Sequence, residues 1–365
     1  KKYNKGDYRM SGVTLKCEYI WLDGGETPQL RSKTRVLNIQ SEDEDQKLSL
    51  ADIPVWGFDG SSTGQATTGD SDCVLRPVFA SVDANRQDGI LVLCDVLNAD
   101  LTPHSSNSRA KLIDAMVAHG NSEPFLGFEQ EYFLVDTETK RPVGWGKDGE
   151  PEPQGPYYCG VGGGTVEGRS VAEFHLTACL GSGLSIVGLN AEVALGQWEY
   201  QVGGPGVNAI STCDHLWVTR FLLNRIAESR GLSVDLDPKP VSGDWNGSGM
   251  HTNFSTKAMR EEGGLEHINA ACSKLGAPDN LEKITSVYGE GLERRLTGEH
   301  ETCSLKEFRY GVSDRGASIR IPWHVEKARR GYFEDRRPNA NADPYKVAAY
   351  LLKAVSPAGE TDTEK

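Results

Sequence analysis

The stretch "GFEQEYF", residues 127–133, sets Glu129 and Glu131 on either side of Gln130, between the apolar flanks "EPFL" and "FLV". A second acidic pair, Glu192 and Glu199, lies in "GLNAEVALGQWEYQV", residues 188–202, among Val193, Trp198 and Tyr200. Side chains in a strand alternate faces, so Glu129 and Glu131 share one face and Gln130 takes the other. An ionised carboxylate in such surroundings costs several kcal/mol unless a cation, a proton or strong donors compensate. A solvated edge strand would explain the first pair taken alone. The second is harder to excuse: if Ala194–Gln197 forms a turn, Glu192 and Glu199 face each other across a hairpin, where like charges destabilise. Divalent cations, which take hard oxygen ligands, best account for four such carboxylates, with an arginine-clamped core as the rival.

Other segments add donors. "GMHTNFST" (249–256) puts His251, Asn253 and Ser255 on one strand face, directly after the glycine-rich "GDWNGSG" (243–249), which suits backbone approaching a ligand. "YFEDRRP" (332–338) repeats the i, i+2 spacing with Glu334 and Arg336. Arginines recur in "ERRLTG" (293–298), "SDRGASIRIP" (313–322) and "EDRRP". Each alone reads as a surface ion pair of little weight. Together they supply forked donors for carboxylate and phosphate. The chain has no GxxxxGK[ST] loop and no G-x-G-x-x-G between a strand and a helix. Phosphoryl transfer with metals as the phosphate clamp is the chemistry this combination suits.

These residues need strands to align them. Residues 15–22, 31–37 and 90–97 read as strands, with the acidic run 41–46 as a solvated loop, so the first hundred residues form a small strand-rich domain. "NADLTPHSSNS" (98–108) is turn-forming and 108–120 is amphipathic, which places a boundary after residue 103. Beyond it, "EFHLTACLGSG" and "STCDHLWVTRFLLNRIAESRG" are helical by period, while "SIVGLNAEV", "QWEYQV", "GMHTNFST" and "SIRIP" read as strands. Helices mixed with strands on short turns predict an α+β fold with a mainly antiparallel sheet.

Composition narrows the class. A chain of 365 residues with 38% hydrophobic and 25% charged residues is long enough for two domains and too apolar to be disordered. A net charge of −13 argues against a broad nucleic-acid surface, and no apolar run has the length of a membrane span. Eight cysteines without a CxxC pair favour a reducing compartment over disulfides or structural zinc. Cytoplasm is the expected location. The basic opening "KKYNKGDYRM", without an initiator methionine, keeps an organelle stroma or matrix after removal of a targeting peptide as the alternative.

The motifs "WGFDGSST" (56–63), "GFEQEYF", "PQGPYYCGVG" (153–162), "NAEV…QWEYQV", "DWNGSGMHTNFST", "RRLTGEHET", "DRGASIRIP" and "GYFEDRRPNAN" together resemble, in order, those of the glutamine synthetase family. The shorter, eukaryotic-type class (type II) fits better than the longer bacterial class, whose adenylylated tyrosine loop has no counterpart here. The resemblance implies ATP-dependent condensation of glutamate and ammonia through γ-glutamyl phosphate, with Mg2+ or Mn2+. It implies a β-grasp-like domain over residues 1–103 and a catalytic domain with a curved sheet over 104–365. One metal would take Glu131, Glu192 and Glu199, and the other Glu129, His251 and Glu334. Arg315 and Arg320 would contact the transferred phosphate and ATP. Glu129, Glu199, Pro205, Asn253, Ser255, Tyr332 and Glu334 complete the nucleotide site. Asn246, Gly247, Arg295, Arg315 and Arg336 would hold glutamate. Glu301 would be the flap residue that shields the acyl phosphate, and Asp59 the group that binds ammonium and removes its proton.

The family further implies a homo-oligomer, a decamer of two stacked pentamers with active sites shared between subunits, and neither a nucleic-acid nor a membrane partner. Three departures stand out: Phe125 replaces a tryptophan common in relatives, which would loosen a contact near ammonium; "QVGGPG" (201–206) carries an extra glycine that moves Pro205 one step; and Asp244 stands where animal members have asparagine. Two rival functions are a γ-glutamyl ligase acting on another amine and a non-catalytic structural homologue.

Overall fold

A computed structural model describes residues 13–39, 48–119, 122–146, 151–204 and 206–356. The acidic run 41–46 and Pro205 therefore lie outside the described residues. The backbone divides into two compact units, one running up to Ala110 and including Ala178–Leu184, the other comprising Lys111–Thr177 and everything from Ser185 onward.

The first unit is a five-stranded sheet of β1 (Val13–Leu22), β2 (Leu30–Ile39), β3 (Trp56–Asp59), β4 (Asp72–Val82) and β5 (Gly89–Asn98), in the order β2-β1-β5-β4-β3. Its central pair, β1 and β5, is parallel, and the remaining pairs are antiparallel. β5 is buried along nearly its whole length, which is why "ILVLCDVL" shows no polar alternation. Tyr19, Trp21, Leu75, Val92 and Cys94 are part of the core. β3 and β4 escape a sequence reading for local reasons. The first is four residues long, and the second carries Pro77 at a register irregularity where the missing N–H is tolerated.

The second unit is built on a mostly antiparallel sheet of β6 (Phe125–Asp136), β7 (Ile186–Ala191), β8 (Gln197–Gly203), β9 (Leu232–Asp235), β10 (Met250–Ser255), β11 (Tyr310–Val312), β12 (Ile319–Ile321) and β13 (Phe333–Asp335). The order is β11-β12-β13-β10-β6-β8-β7, with β9 paired to β6 and only β11 and β12 parallel. β6 is thus an interior strand, so solvation at an edge does not explain its glutamates. The helix Ala209–Glu228, started by Asn208 accepting from the Ser211 N–H at 2.8 Å, contacts β6, β8 and β9. Among the described residues no helix is long and apolar enough to cross a membrane.

Candidate active site

Register assembles the chemistry. Glu131 of β6 lies opposite Glu199 of β8, which in turn lies opposite Asn190 of β7. One step along, Glu129 lies between His251 of β10 and Gln201 of β8. Glu334 of β13 pairs with Asn253 on one side and Arg320 of β12 on the other. Because alternation holds in every strand, all these side chains stand on one face.

The hairpin between β7 and β8 differs from the expected one by a residue. Ala191 pairs with Trp198 and the Glu192 N–H donates to the Gln197 carbonyl at 2.9 Å, so Glu192 does not face Glu199. The turn closes through Gly196 at φ 83°, a conformation glycine adopts without strain. Glu192 nevertheless keeps the same face, where Asn190 donates to its Oε1 at 2.9 Å. The like charges set directly opposite are Glu131 and Glu199.

Among the described residues, two groups of ligand atoms lie close enough to hold a metal ion: Glu129, His251 and Glu334, and Glu131, Glu199 and His251. The first is the triple expected for one metal. The second contains Glu131 and Glu199 of the other expected triple, with His251 in the place of Glu192. Burial pushes Glu131 up to about 7, opposed by Arg295. Burial, then the Glu131 charge, raises Glu192 to about 8. Burial, then Glu129, Glu131 and Glu192, raises Glu199 to about 10. Burial, then the Arg336 charge, pushes His251 well below its ordinary range, leaving the neutral ring a metal requires. An oxygen-rich set with one imidazole, in which burial and mutual repulsion hold protons on Glu192 and Glu199, fits a divalent cation that would displace them.

Arginines surround the acids. Arg336, nearly buried, donates to Glu334 Oε1 at 2.6 Å, and Arg320 to Glu334 Oε2 at 2.8 Å. Arg295, buried, sits 3.2 Å from His251 Nε2 and donates to the Arg336 carbonyl at 2.9 Å. Two glycines of "GDWNGSG" make room for it: a Cβ on Gly249 would fall 2.4 Å from Arg295 Nη2, and one on Gly247 would fall 3.0 Å from Arg295 Cγ and 2.2 Å from the Pro238 carbonyl oxygen. Gly249 also donates its N–H to Glu131 Oε2 at 2.6 Å. Arg315 is half-exposed, with Nη1 3.9 Å from Glu301 Oε2. His300 and Glu301 both take positive φ, 51° and 59°, which is uncommon for residues with a side chain.

A cavity of about 600 Å³ collects Glu129, Glu131, Glu192, Glu199, His251 and Glu334 together with Asn246, Gly247, Arg295, Glu301, Arg315, Arg320 and Arg336. A second cavity of about 380 Å³ shares Glu129 and Gln201 with it and holds Asn253, Ser255 and Tyr332 against Phe125, Leu126, Val202 and Phe254. Phe125 lines the apolar cavity, with the Arg260 guanidinium 3.9 Å over its ring. Alternation explains this: Phe125 shares the face of Gly127 and Glu129, two and four residues on.

Asp59 belongs to the N-terminal unit, where it is exposed and caps the turn Gly60–Thr63 by accepting from Ser61 N at 3.0 Å and from the hydroxyls of Ser61 and Ser62. Those bonds, the Ser61 hydroxyl first, hold its carboxyl below the usual range. Several cavity residues were not singled out from sequence. Gln201 donates to Glu199 and, at 2.8 Å, to Asn190. Gln154 donates to Asn246 and lies 3.1 Å from His300 Nδ1. Gln201 was findable, being two residues from Glu199 on the same face; Gln154 comes from a loop with no period to read.

Fold and site together define a class, an α+β protein whose antiparallel sheet presents two candidate metal groups under an arginine-rich cavity. Residues 15–99 match the family described as "Glutamine synthetase, beta-Grasp domain" and residues 107–277 that described as "Glutamine synthetase, catalytic domain". The chain is 53% identical over 351 residues to a glutamine synthetase of Streptomyces viridochromogenes, covering 95% of this chain and 98% of that one. It is 51% identical over 356 residues to one of Colletotrichum gloeosporioides, covering 97% and 94%. The cryo-EM structure of Plasmodium falciparum glutamine synthetase shares the fold, with a TM-score of 0.73 at 15% identity over 96% of this chain and 72% of that one. The chain belongs to the glutamine synthetase family. A β-grasp N-terminal domain followed by a catalytic domain with a curved, mainly antiparallel sheet is its fold.

Proposed function

We propose that this protein is a glutamate–ammonia ligase that forms L-glutamine from L-glutamate, ammonia and ATP, releasing ADP and phosphate. The observation that carries the proposal is the shared floor of the two cavities. One sheet face presents the five residues of the two metal groups, with Glu192 beside them, to an arginine-lined, polar cavity large enough for an amino acid and phosphates. The same face continues into an apolar cavity of a size for a nucleobase.

In this reading Asn246, Gly247, Arg295 and Arg336 orient glutamate so that its γ-carboxylate oxygen attacks the γ-phosphorus of ATP as the bond to the β-phosphate oxygen breaks. Arg315 and Arg320 take up negative charge on the transferred phosphoryl group. Asn253, Ser255 and Tyr332 hold the nucleotide, with Pro205 beside it. Bound Mg2+ or Mn2+, held by Glu131, Glu192 and Glu199 and by Glu129, His251 and Glu334, would neutralise phosphate charge and polarise its oxygens. Ammonium loses a proton to Asp59, the nitrogen attacks the acyl carbon, and phosphate leaves with the second proton that the nitrogen sheds on becoming an amide, while Glu301 keeps water out.

We place the chain in the shorter, type II class and assign it a decamer of two stacked pentamers, with Asp59 of the β-grasp domain (1–103) supplied to the catalytic domain (104–365) of a neighbouring subunit. Near-full-length identity to a fungal relative supports the class. The free, mostly buried cysteines support a reducing compartment, for which we propose the cytoplasm. The test is formation of γ-glutamyl hydroxamate from glutamate, ATP and hydroxylamine with Mg2+ or Mn2+. Its absence from an intact oligomer would overturn the activity, and a preference for alkylamines over ammonia would reassign the acceptor.

A further inference from the structure

The two glutamates of "GFEQEYF" face the cavity, and Gln130 between them faces the opposite way, fully buried. Its Oε1 accepts from Arg220 Nε at 2.9 Å and from Nη2 at 2.5 Å, and its Nε2 donates to the carbonyls of Glu131 at 2.9 Å and Ala340 at 3.1 Å. Arg220, on the helix Ala209–Glu228, is itself 2% exposed. The rest of its fork goes to the Ala342 carbonyl at 3.0 Å, the Ala340 carbonyl at 3.0 Å and Met250 Sδ at 3.2 Å. None of these acceptors is a carboxylate.

Each contact touches a segment that carries a candidate metal ligand. Gln130 is flanked by Glu129 and Glu131; Met250 lies opposite Gln130 in the ladder and precedes His251. Ala340 follows Glu334 by six residues, on a segment joined to the strand of His251 by Met250 N–H donating to the Pro338 carbonyl at 2.9 Å. A buried guanidinium hydrogen-bonded only to neutral acceptors, with Asp343 supplying a charge nearby, is a poor way to gain stability, since apolar side chains of similar volume do as well or better. Its use is directional: planar donors fix the spacing of β6, β10 and the segment that follows β13, where apolar packing would let them slide.

We infer that Arg220, acting through Gln130, is a positioning residue that holds the ligand-bearing segments β6, β10 and 334–340 at the separation two divalent cations require. This rests on the metal reading of the front face and adds to it a support on the back. The effect expected of such a second layer is a loss of about 10–100-fold in metal affinity.

The experiment is calorimetric titration of the purified full chain with Mn2+ alone, on wild type, Gln130→Met, Arg220→Met and the double variant, with thermal midpoints and oligomeric state measured alongside. Gln130→Met is expected to remain a folded oligomer while Mn2+ affinity falls about ten-fold or more. The double variant should lose no more than the worse single one, because both cut the same link. If Arg220→Met does not fold, Gln130→Met and the pairing Gln130→Glu carry the comparison; Gln130→Glu keeps the Arg220 contacts but removes the Nε2 donor and should also weaken Mn2+ binding. Folded Gln130→Met with Mn2+ affinity within about two-fold of wild type would overturn the inference and leave the metal reading standing. Wild type that binds no Mn2+ would overturn both.

Discussion

The two cavities of the catalytic sheet share a floor and differ in every other respect. Reading the cavity face of β6 from Glu131 to Phe125, the residues are Glu131, Glu129, Gly127 and Phe125; the partner strands follow with Glu199, Gln201 and Gly203 on β8 and His251, Asn253 and Ser255 on β10. Over these four face positions the surface passes from carboxylates crowded enough to hold protons, through amides, to glycine and aromatic rings. The strands differ in sequence but are graded alike, so one register gives both a charged compartment and an apolar one. Glu129 and Gln201 belong to both cavities and mark the place where phosphates and base must part.

The contrast can be broken at its charged end first. Glu192→Gln preserves the side-chain volume and the oxygen that accepts from Asn190, but removes a carboxylate the proposed metal needs. We expect hydroxamate formation to fall by about a hundred- to a thousand-fold, the range in which removal of an electrostatic stabiliser operates. The metal-free thermal midpoint at pH 9 should not fall, because the removed charge was buried beside Glu131. Normal turnover in this variant would refute its assignment as a ligand.

Titration separates the two cavities next. Glu131, Glu192 and Glu199 have folded-state values of about 7, 8 and 10, all above the ordinary 4.5. Protons on these groups stabilise the metal-free fold; that contribution is complete below about 4.5 and is lost as pH rises through 7 to 10. Cation binding displaces the protons, so Mn2+ affinity moves the other way, tightening by up to ten-fold per pH unit for each proton released. Binding of adenosine, which carries no phosphate, to the apolar cavity should change little over the same range. A pH-independent Mn2+ affinity would show that these carboxylates are not the ligands.

The smallest effect belongs to the apolar end. Phe125→Ala removes a wall of that cavity and the ring under Arg260, and base–aromatic contacts are worth about 1–3 kcal/mol on truncation. We expect the KM for ATP to rise about five- to ten-fold, the lower part of that range, with the KM for glutamate unchanged. A change in ammonium KM instead would restore the ammonium contact first expected of this position.

Which polar side chains share a face was legible because alternation is local. Glu129 and Glu131, His251 with Asn253 and Ser255, and Glu334 with Arg336 share faces by covalent geometry alone. What local reasoning missed were partners and turns. The hairpin centre slipped by one residue because a glycine at positive φ, not the number of polar residues, set the turn. Gln154 and His300 reach the cavity from loops, where no period marks a side chain's direction. Strand register, which no local pattern reveals, is what puts Phe125 among Asn253, Ser255 and Tyr332.

By itself the sequence determined that this chain carries two acidic pairs on apolar strands, arginines without a phosphate loop, and a motif series running along most of its length. It also determined that Gln130 must turn away from its neighbours. Only the tertiary structure decided that Glu131 meets Glu199, that Glu129 meets His251, and that Gln130 is gripped by an arginine ninety residues away. Strand alternation is a property of adjacent residues, whereas register and the back-face contacts join segments far apart in the chain, and only packing of the whole sheet selects among their possible pairings.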